Sequence, residues 1–266
     1  MYNQELLMCR PDFFRIAYQI NPYMHTSSQP DPEKLAPEYA AIVGAHEALG
    51  RKLHFIEPDP AWPDMVYTAN TALIRGKKAV LANLPKERAG EVELAGAWLR
   101  AHGFETFTCP VLFSGQGDAL PTGTGALIKG RGWRSHPDSD KFVADTLGYE
   151  IIPVQSVSGQ WYDIDLSIGI IKPGVIAVCL ATLDDESQLL LAARRDLRII
   201  PVSLEEAQKA ALNLVSDGTT VIITSGVPDM AEALRAEGMI VIERSIEQLW
   251  KGGGSIRCTT LALDTL

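Results

Sequence analysis

Cysteine is scarce in this chain: four residues, Cys9, Cys109, Cys179 and Cys258, lie far apart in 266 positions. None belongs to a Cys-x-x-Cys pair or to a Cys/His spacing that would ligate zinc, so neither a metal site nor a disulfide framework is expected. Positive charge is short as well, with 24 Lys and Arg against 33 Asp and Glu and a formal net charge of −9. That balance argues against binding nucleic acid, which needs clustered Lys and Arg, and suits a cationic small molecule better. No apolar run approaches the roughly 20 residues of a membrane span, and the stretch 1–14 (MYNQELLMCRPDFF) has no basic segment leading into an apolar one. Neither GxGxxG nor GxxxxGK[ST] occurs, so nucleotide binding has no motif behind it. The expectations are a soluble protein in the reducing cytoplasm, without membrane contact and without a cofactor.

What is present is ordinary globular composition, 46% hydrophobic and 21% charged, in a chain long enough for a large core and expected to form one domain over residues 1–266. Short β-branched runs interrupted by turn residues recur. They cover Thr71 to Leu81 around Arg75-Gly76-Lys77, Ala126 to Arg134 around Lys129-Gly130, Leu166 to Leu180 around Lys172-Pro173-Gly174, and Thr220 to Ile242 around Ser225-Gly226. Helices are expected over Pro32 to Leu49, Glu87 to His102, Ser139 to Leu147, Asp185 to Arg194, Leu204 to Ala211 and Pro228 to Glu237. Ser203, before Leu204-Glu205-Glu206, has the form of an N-cap with acidic residues in the first turn. Recurrence at intervals of about fifty residues points to an array of similar α/β units. His46 and His102 fall in expected helices and read as surface residues.

Polar residues embedded in apolar surroundings mark the candidate chemistry. Cys258 follows Gly252-Gly253-Gly254-Ser255-Ile256-Arg257, and a glycine run lets another group approach the backbone closely, so a thiol behind it can be presented in a pocket. Asp64 and Asn70 bracket an apolar stretch, Asp118 lies in the loop Gly115-Gln116-Gly117, Arg134 follows Trp133, and Asp163 and Asp165 stand at i and i+2. On a strand that spacing puts both carboxylates on one face. Each feature has a purely structural reading: a buried core thiol, a turn cap, a surface arginine lying on Trp133, a solvated edge. Together they match guanidinium chemistry. Carboxylates grip the planar cation, an arginine holds a carboxylate, and a thiolate attacks the central carbon.

Several segments carry a family resemblance in the same order along the chain: 8–24 (MCRPDFFRIAYQINPYM), 62–70 (WPDMVYTAN), 85–91 (PKERAGE), 115–120 (GQGDAL), 132–135 (GWRS), 161–167 (WYDIDLS) and 252–261 (GGGSIRCTTL). The chain thereby resembles the guanidine-modifying or amidinotransferase superfamily of pentein fold. That superfamily includes arginine deiminases, dimethylarginine dimethylaminohydrolases and the N-terminal domains of cyanobacterial arginine dihydrolases. The resemblance implies an α/β five-bladed propeller of ββαβ-like units with pseudo-fivefold symmetry and the site at its centre. It implies Cys258 as nucleophile, and Asn21, Asp64, Asn70, Arg88, Arg134 and Asp165 as contacts to an arginine-like substrate. Two positions depart from the family pattern. Asp163 stands where a motif like YHLDT has the catalytic histidine, and Ser114 stands where a motif like FEGxGDAL has the glutamate that orients it.

The expected activity is therefore cysteine-dependent C–N hydrolysis or amidino transfer on a guanidino or amidino compound, with Asp163 as the altered acid–base group. His25 and His136 are relocated alternatives to Asp163. Two other readings stay open: a different reaction on an amino-acid-derived substrate, or a catalytically silent ligand-binding protein. A homo-oligomer is also left open.

Overall fold

The computed structural model describes residues 2–266, Met1 lying outside the described residues. Among the described residues, fifteen strands and six α-helices follow one another in a repeating order. Strand β1 (Glu5–Cys9), helix α1 (Pro32–Ala48) and β2 (Lys52–Ile56) open the chain. Then come β3 (Ala72–Arg75), β4 (Lys78–Leu81), α2 (Ala89–Ala101) and β5 (Glu105–Thr108). The third set is β6 (Ala119–Pro121), β7 (Ala126–Gly130), α3 (Ser139–Leu147) and β8 (Glu150–Val154). The fourth is β9 (Ile168–Lys172), β10 (Val175–Val178), α4 (Asp185–Ala192) and β11 (Arg198–Pro201). A short helix α5 (Leu204–Ala207) precedes β12 (Val215–Ser216), β13 (Thr220–Thr224), α6 (Pro228–Ala236) and β14 (Ile240–Arg244), and β15 (Leu261–Ala262) ends the series.

These strands form five three-stranded sheets, each with one antiparallel and one parallel pairing about its middle strand. The helix in each unit makes the crossover to the parallel strand, the connection parallel pairing requires. Four units are continuous in sequence. The fifth joins the two ends of the chain, because β15 pairs antiparallel with β1 at Leu6↔Ala262 and Leu7↔Leu261.

Side chains alternate along each middle strand, and both faces are buried. Leu73 and Val80 pack with Ala119 and Leu127, whereas their neighbours Ile74 and Ala79 pack with Leu7 and Leu261. Leu120 and Ile128 pack with Ile176 and Val178. Val175 and Ala177 pack with Val221 and Ile223, and Ile222 packs with Leu6 and Met8. Each apolar cluster thus joins one unit to the next, and this is why the strands read as apolar runs without a polar face.

The expected helices are present, several shortened at their ends. Asp31 accepts from Glu33 N at 3.0 Å with Pro32 in the first turn of α1, and Ser203 accepts from Glu206 N at 3.2 Å as expected of an N-cap. Three expectations are corrected. The helix over Leu204 to Ala211 stops at Ala207, because Ala210 takes a left-handed φ of 62°. Lys129-Gly130 is not a turn: both lie in β7, and Gly130 is required because a Cβ there would sit 1.8 Å from Asp118 Oδ1. Lys129 is buried and paired with Asp140 at 2.9 Å. His46, read as a surface residue, is wholly buried, with its Nδ1 2.9 Å from Arg51 Nη1, and Arg51 continues to Asp217 at 3.0 Å. Among the described residues no helix is long and apolar enough to cross a membrane.

Burial, and then the Arg51 charge, depress the His46 pKa to about 3. The unfolded chain therefore takes up a proton on His46 below about pH 6.5 that the folded protein does not, and stability is lost as pH falls from there toward 3. His46→Gln should flatten this acid limb of a Tm-versus-pH series by an amount on the order of a few kcal/mol, leaving the neutral-pH Tm within a few degrees.

Candidate active site

Cys258 is 2% exposed and lies in the turns that follow the glycine run. The run is glycine because aromatic rings press against it. A Cβ on Gly254 would meet the Tyr67 ring at 2.2 Å, and Gly253 has φ 86° with Asn21 and Tyr162 against it. Tyr162 Oη donates to Gly253 O at 2.9 Å and Tyr67 Oη to Leu249 O at 2.6 Å, which fixes the backbone behind the nucleophile. Asn21, half-buried, donates to Gly252 O at 3.0 Å and accepts from Tyr23 N and Met24 N.

Asp163 and Asp165 are buried beside the thiol. They do not stand on a strand: Asp163 is extended, Ile164–Leu166 form one 3-10 turn, and β9 begins only at Ile168, so their common orientation comes from a tight turn instead of strand alternation. The thiol of Cys258 faces Asp165 Oδ2 at 3.6 Å. Asp118 Oδ1 accepts from Ile164 N at 3.0 Å and holds this segment from below.

A buried frame orients Asp163. Arg88 binds Glu91 through Nε and Nη2, donates through Nη2 to the backbone of Tyr67, and donates through Nη1 to Asn70 Oδ1 at 2.9 Å. With its oxygen so occupied, Asn70 turns its Nδ2 toward Asp163 Oδ2 at 2.7 Å and Ser114 Oγ at 2.8 Å. Arg88 and Asn70 therefore connect a glutamate on α2 to the carboxylate beside the nucleophile, and Arg88 is largely engaged with protein partners. Asp64 lies 3.9 Å from Arg88. Arg134 lies over the Tyr162 ring at 4.5 Å from its centroid and not on Trp133, which is 48% exposed.

Four of these side chains each keep one buried polar atom without a partner: Asp64 Oδ1, Asp163 Oδ1, Asp165 Oδ1 and Arg134 Nη1. Buried polar atoms are ordinarily satisfied, which makes these three open acceptors and one open donor candidates for contact with a ligand. His25 and His136 are exposed, and neither hydrogen-bonds to Cys258, whose sulfur has Asn213 and Asp165 as side-chain partners. Asn213 was not among the sequence candidates. Its signal was an isolated amide in the apolar stretch Ala210-Ala211-Leu212-Asn213-Leu214-Val215, and such an amide needs a buried partner.

Burial raises the pKa values of Cys258, Asp165, Asp118 and Glu91. The Cys258 thiol stands well above its usual range through desolvation, then the charges of Asp165 and Asp163. Asp165 is also well above the usual carboxylate range through desolvation and the Asp163 charge, with Arg257 opposing. Desolvation and Asp163 push Asp118 up to about 6, and desolvation pushes Glu91 up to about 7 against the pull of Arg88. Without a ligand, the site thus favours a neutral thiol and a protonated Asp165.

Five units of this topology, with a cysteine beside buried carboxylates, define a member of the guanidine-modifying pentein superfamily. Within it the chain belongs to the N,N dimethylarginine dimethylhydrolase family, whose eukaryotic model matches residues 16–264. It is 32% identical to the N(G),N(G)-dimethylarginine dimethylaminohydrolase of Mycobacterium tuberculosis, over 96% of this chain and 84% of that protein. It is 31% identical to the bifunctional arginine dihydrolase/ornithine cyclodeaminase ArgZ of Synechocystis over 96% of this chain, which spans only 37% of that longer protein. The solved structure of an N-terminal domain of ArgZ covalently bound to a reaction intermediate superposes with a TM-score of 0.93 at 27% identity, covering 98% of each chain.

Because its folded pKa is raised, Asp165 contributes stability fully only below about pH 3.8, and that contribution is lost progressively as pH rises. Asp165→Asn should therefore raise the Tm of the ligand-free protein more at pH 8 than at pH 5. Equal shifts at both pH values would show that Asp165 is ionised in the free protein.

Proposed function

We propose that this protein is a cysteine-dependent hydrolase that cleaves a guanidino C–N bond of an arginine-like amino acid. One observation supports the reading: Asp64 Oδ1, Asp163 Oδ1, Asp165 Oδ1 and Arg134 Nη1 are buried without a partner, and the Cys258 sulfur faces Asp165 Oδ2 at 3.6 Å. A planar cation with several N–H donors fits the carboxylates, and a carboxylate fits Arg134. Asn21 supports the amino-acid end from the turn against the glycine run. Arg88 and Asn70 serve the substrate by holding Asp163 in position.

The reaction proceeds in two halves. The incoming cation offsets the repulsion among the carboxyl groups and displaces the proton held on Asp165 to solvent, and the Asp165 Oδ2 so freed, 3.6 Å from the sulfur, accepts the thiol proton. The thiolate adds to the guanidinium carbon, Asp163 gives a proton to the departing amine, and the C–N bond breaks to leave an amidino group on sulfur. Asp163, now a carboxylate, removes a proton from water, which attacks the same carbon. The C–S bond breaks as Asp165 returns its proton to sulfur and the adduct's hydroxyl proton is lost to solvent, and the ureido product and the free thiol are released. Asp163 thereby takes both proton-transfer steps in a site where no histidine bonds to the sulfur.

The same reading includes one domain over residues 1–266, arranged as a pseudo-fivefold α/β propeller. It is supported by the β15–β1 pairing and by apolar clusters that join successive units in cyclic order. A cytoplasmic setting follows from four buried free cysteines, and the net negative charge fits a small cationic substrate in preference to nucleic acid. A self-associated form belongs to the proposal as well and is read by sedimentation.

Ammonia and ureido-product assays over a series of guanidino amino acids test the reaction. Cys258→Ala should abolish turnover. Asp163→Asn should lower kcat by about 10²- to 10⁴-fold with a smaller change in KM. Full activity in Asp163→Asn would remove Asp163 from the mechanism.

A further inference from the structure

Asn213 reaches the Cys258 sulfur from a segment that the reaction described above does not use. The chain leaves α5 and turns at Ala210, which is buried and holds a left-handed φ of 62°, a conformation that L-residues other than glycine seldom adopt. Asn213 N then bonds to Ala210 O at 3.1 Å, and the side chain is wholly buried. Its Oδ1 accepts from Arg257 N at 2.9 Å and from Cys258 N at 3.2 Å. These two contacts fix which end of the amide is which, because only the oxygen can accept from backbone N–H groups. The amide nitrogen is thereby directed at Cys258 Sγ, 3.1 Å away.

We propose that Asn213 is a catalytic residue that stabilises and orients the Cys258 thiolate through its amide N–H. The inference rests on Cys258 being the nucleophile of the proposed reaction. A thiolate accepts a hydrogen bond more strongly than a thiol does, so a fixed donor at sulfur favours the reactive form. The need is acute here, since Asp165 and Asp163 both oppose a negative sulfur and no histidine bonds to it. The backbone of Ser255 and the side chain of Asn213 act in the opposite sense. The same amide aims the sulfur: its oxygen anchors the backbone on which the thiol stands, and its nitrogen holds the sulfur itself.

The test reads thiol chemistry directly, without a substrate. Cys258 alkylation by iodoacetamide, located by peptide mass mapping, is followed between about pH 6 and pH 10 in the parent, Asn213→Asp and Asn213→Ala proteins, with folding checked by circular dichroism and thermal unfolding. Asn213→Asp keeps an oxygen for the two backbone N–H groups and replaces the N–H at sulfur with a second oxygen. Both variants should react about tenfold more slowly at a fixed pH, with the reactivity midpoint raised by about one pH unit. A profile within about twofold of the parent in either folded variant overturns the inference, even if turnover is lost, because Asn213 would then be only structural. If the parent hydrolyses no guanidino compound while the variants still shift the profile, the proposed reaction fails and the role of Asn213 at the sulfur stands.

Discussion

Negative charge confined away from water governs this site. Two like charges about 4 Å apart repel by about 4 kcal/mol at an effective dielectric of about 20, a large fraction of the roughly 5–15 kcal/mol by which a domain is stable. Asp165, Asp118 and the Cys258 thiol share one buried neighbourhood with Asp163, and their raised pKa values reflect desolvation together with repulsion from the Asp163 charge. Neutralisation by protons is the cheaper state of the free protein. A guanidinium that displaces those protons replaces them with a delocalised positive charge and several directed hydrogen bonds. In the proposed reaction, ligand recognition and activation of Cys258 then become one electrostatic event.

The surrounding structure keeps that charge from relaxing. Arg88, clamped by Glu91, fixes Asn70, which in turn fixes Asp163 and satisfies Ser114. Tyr67, Tyr162 and Asn21 hold the glycine run on which Cys258 depends. Asp118 supports the turn carrying Asp163 and Asp165, and it approaches β7 so closely that position 130 has to be glycine. These supports come from separate units of the repeated fold. The geometry of these supports is therefore set by the apolar clusters between units.

Much of this was legible in the sequence. The Ser203 cap, the apolar runs and their spacing gave the helices and most of the strand pairs, because local hydrogen bonding and both-face burial leave direct marks. The motif segments brought forward Cys258, Asp163, Asp165, Arg134, Asn70 and Asp64, and the structure buries all six. The terminal strands β1 and β15 were not anticipated, since pairing across more than 250 residues has no local signature. Lys129-Gly130 resembled a turn because close approach by Asp118 and a need for positive φ both select glycine. Asn213 escaped because a single amide declares no partner until the fold brings one to it, and His46 because burial of one helical face is weakly encoded by a lone histidine.

The central claim is that a guanidinium replaces protons in this site, and calorimetric titration of the Cys258→Ala protein with arginine or a related guanidino amino acid reads it directly. Binding near pH 7 is measured in several buffers of different ionisation enthalpy. The account predicts net release of protons on binding, reduced in Asp165→Asn, because carboxyl groups held neutral in the free protein ionise against the cation. Binding without proton exchange, or with proton uptake, would contradict it, since the carboxylates would then already be ionised before the ligand arrives.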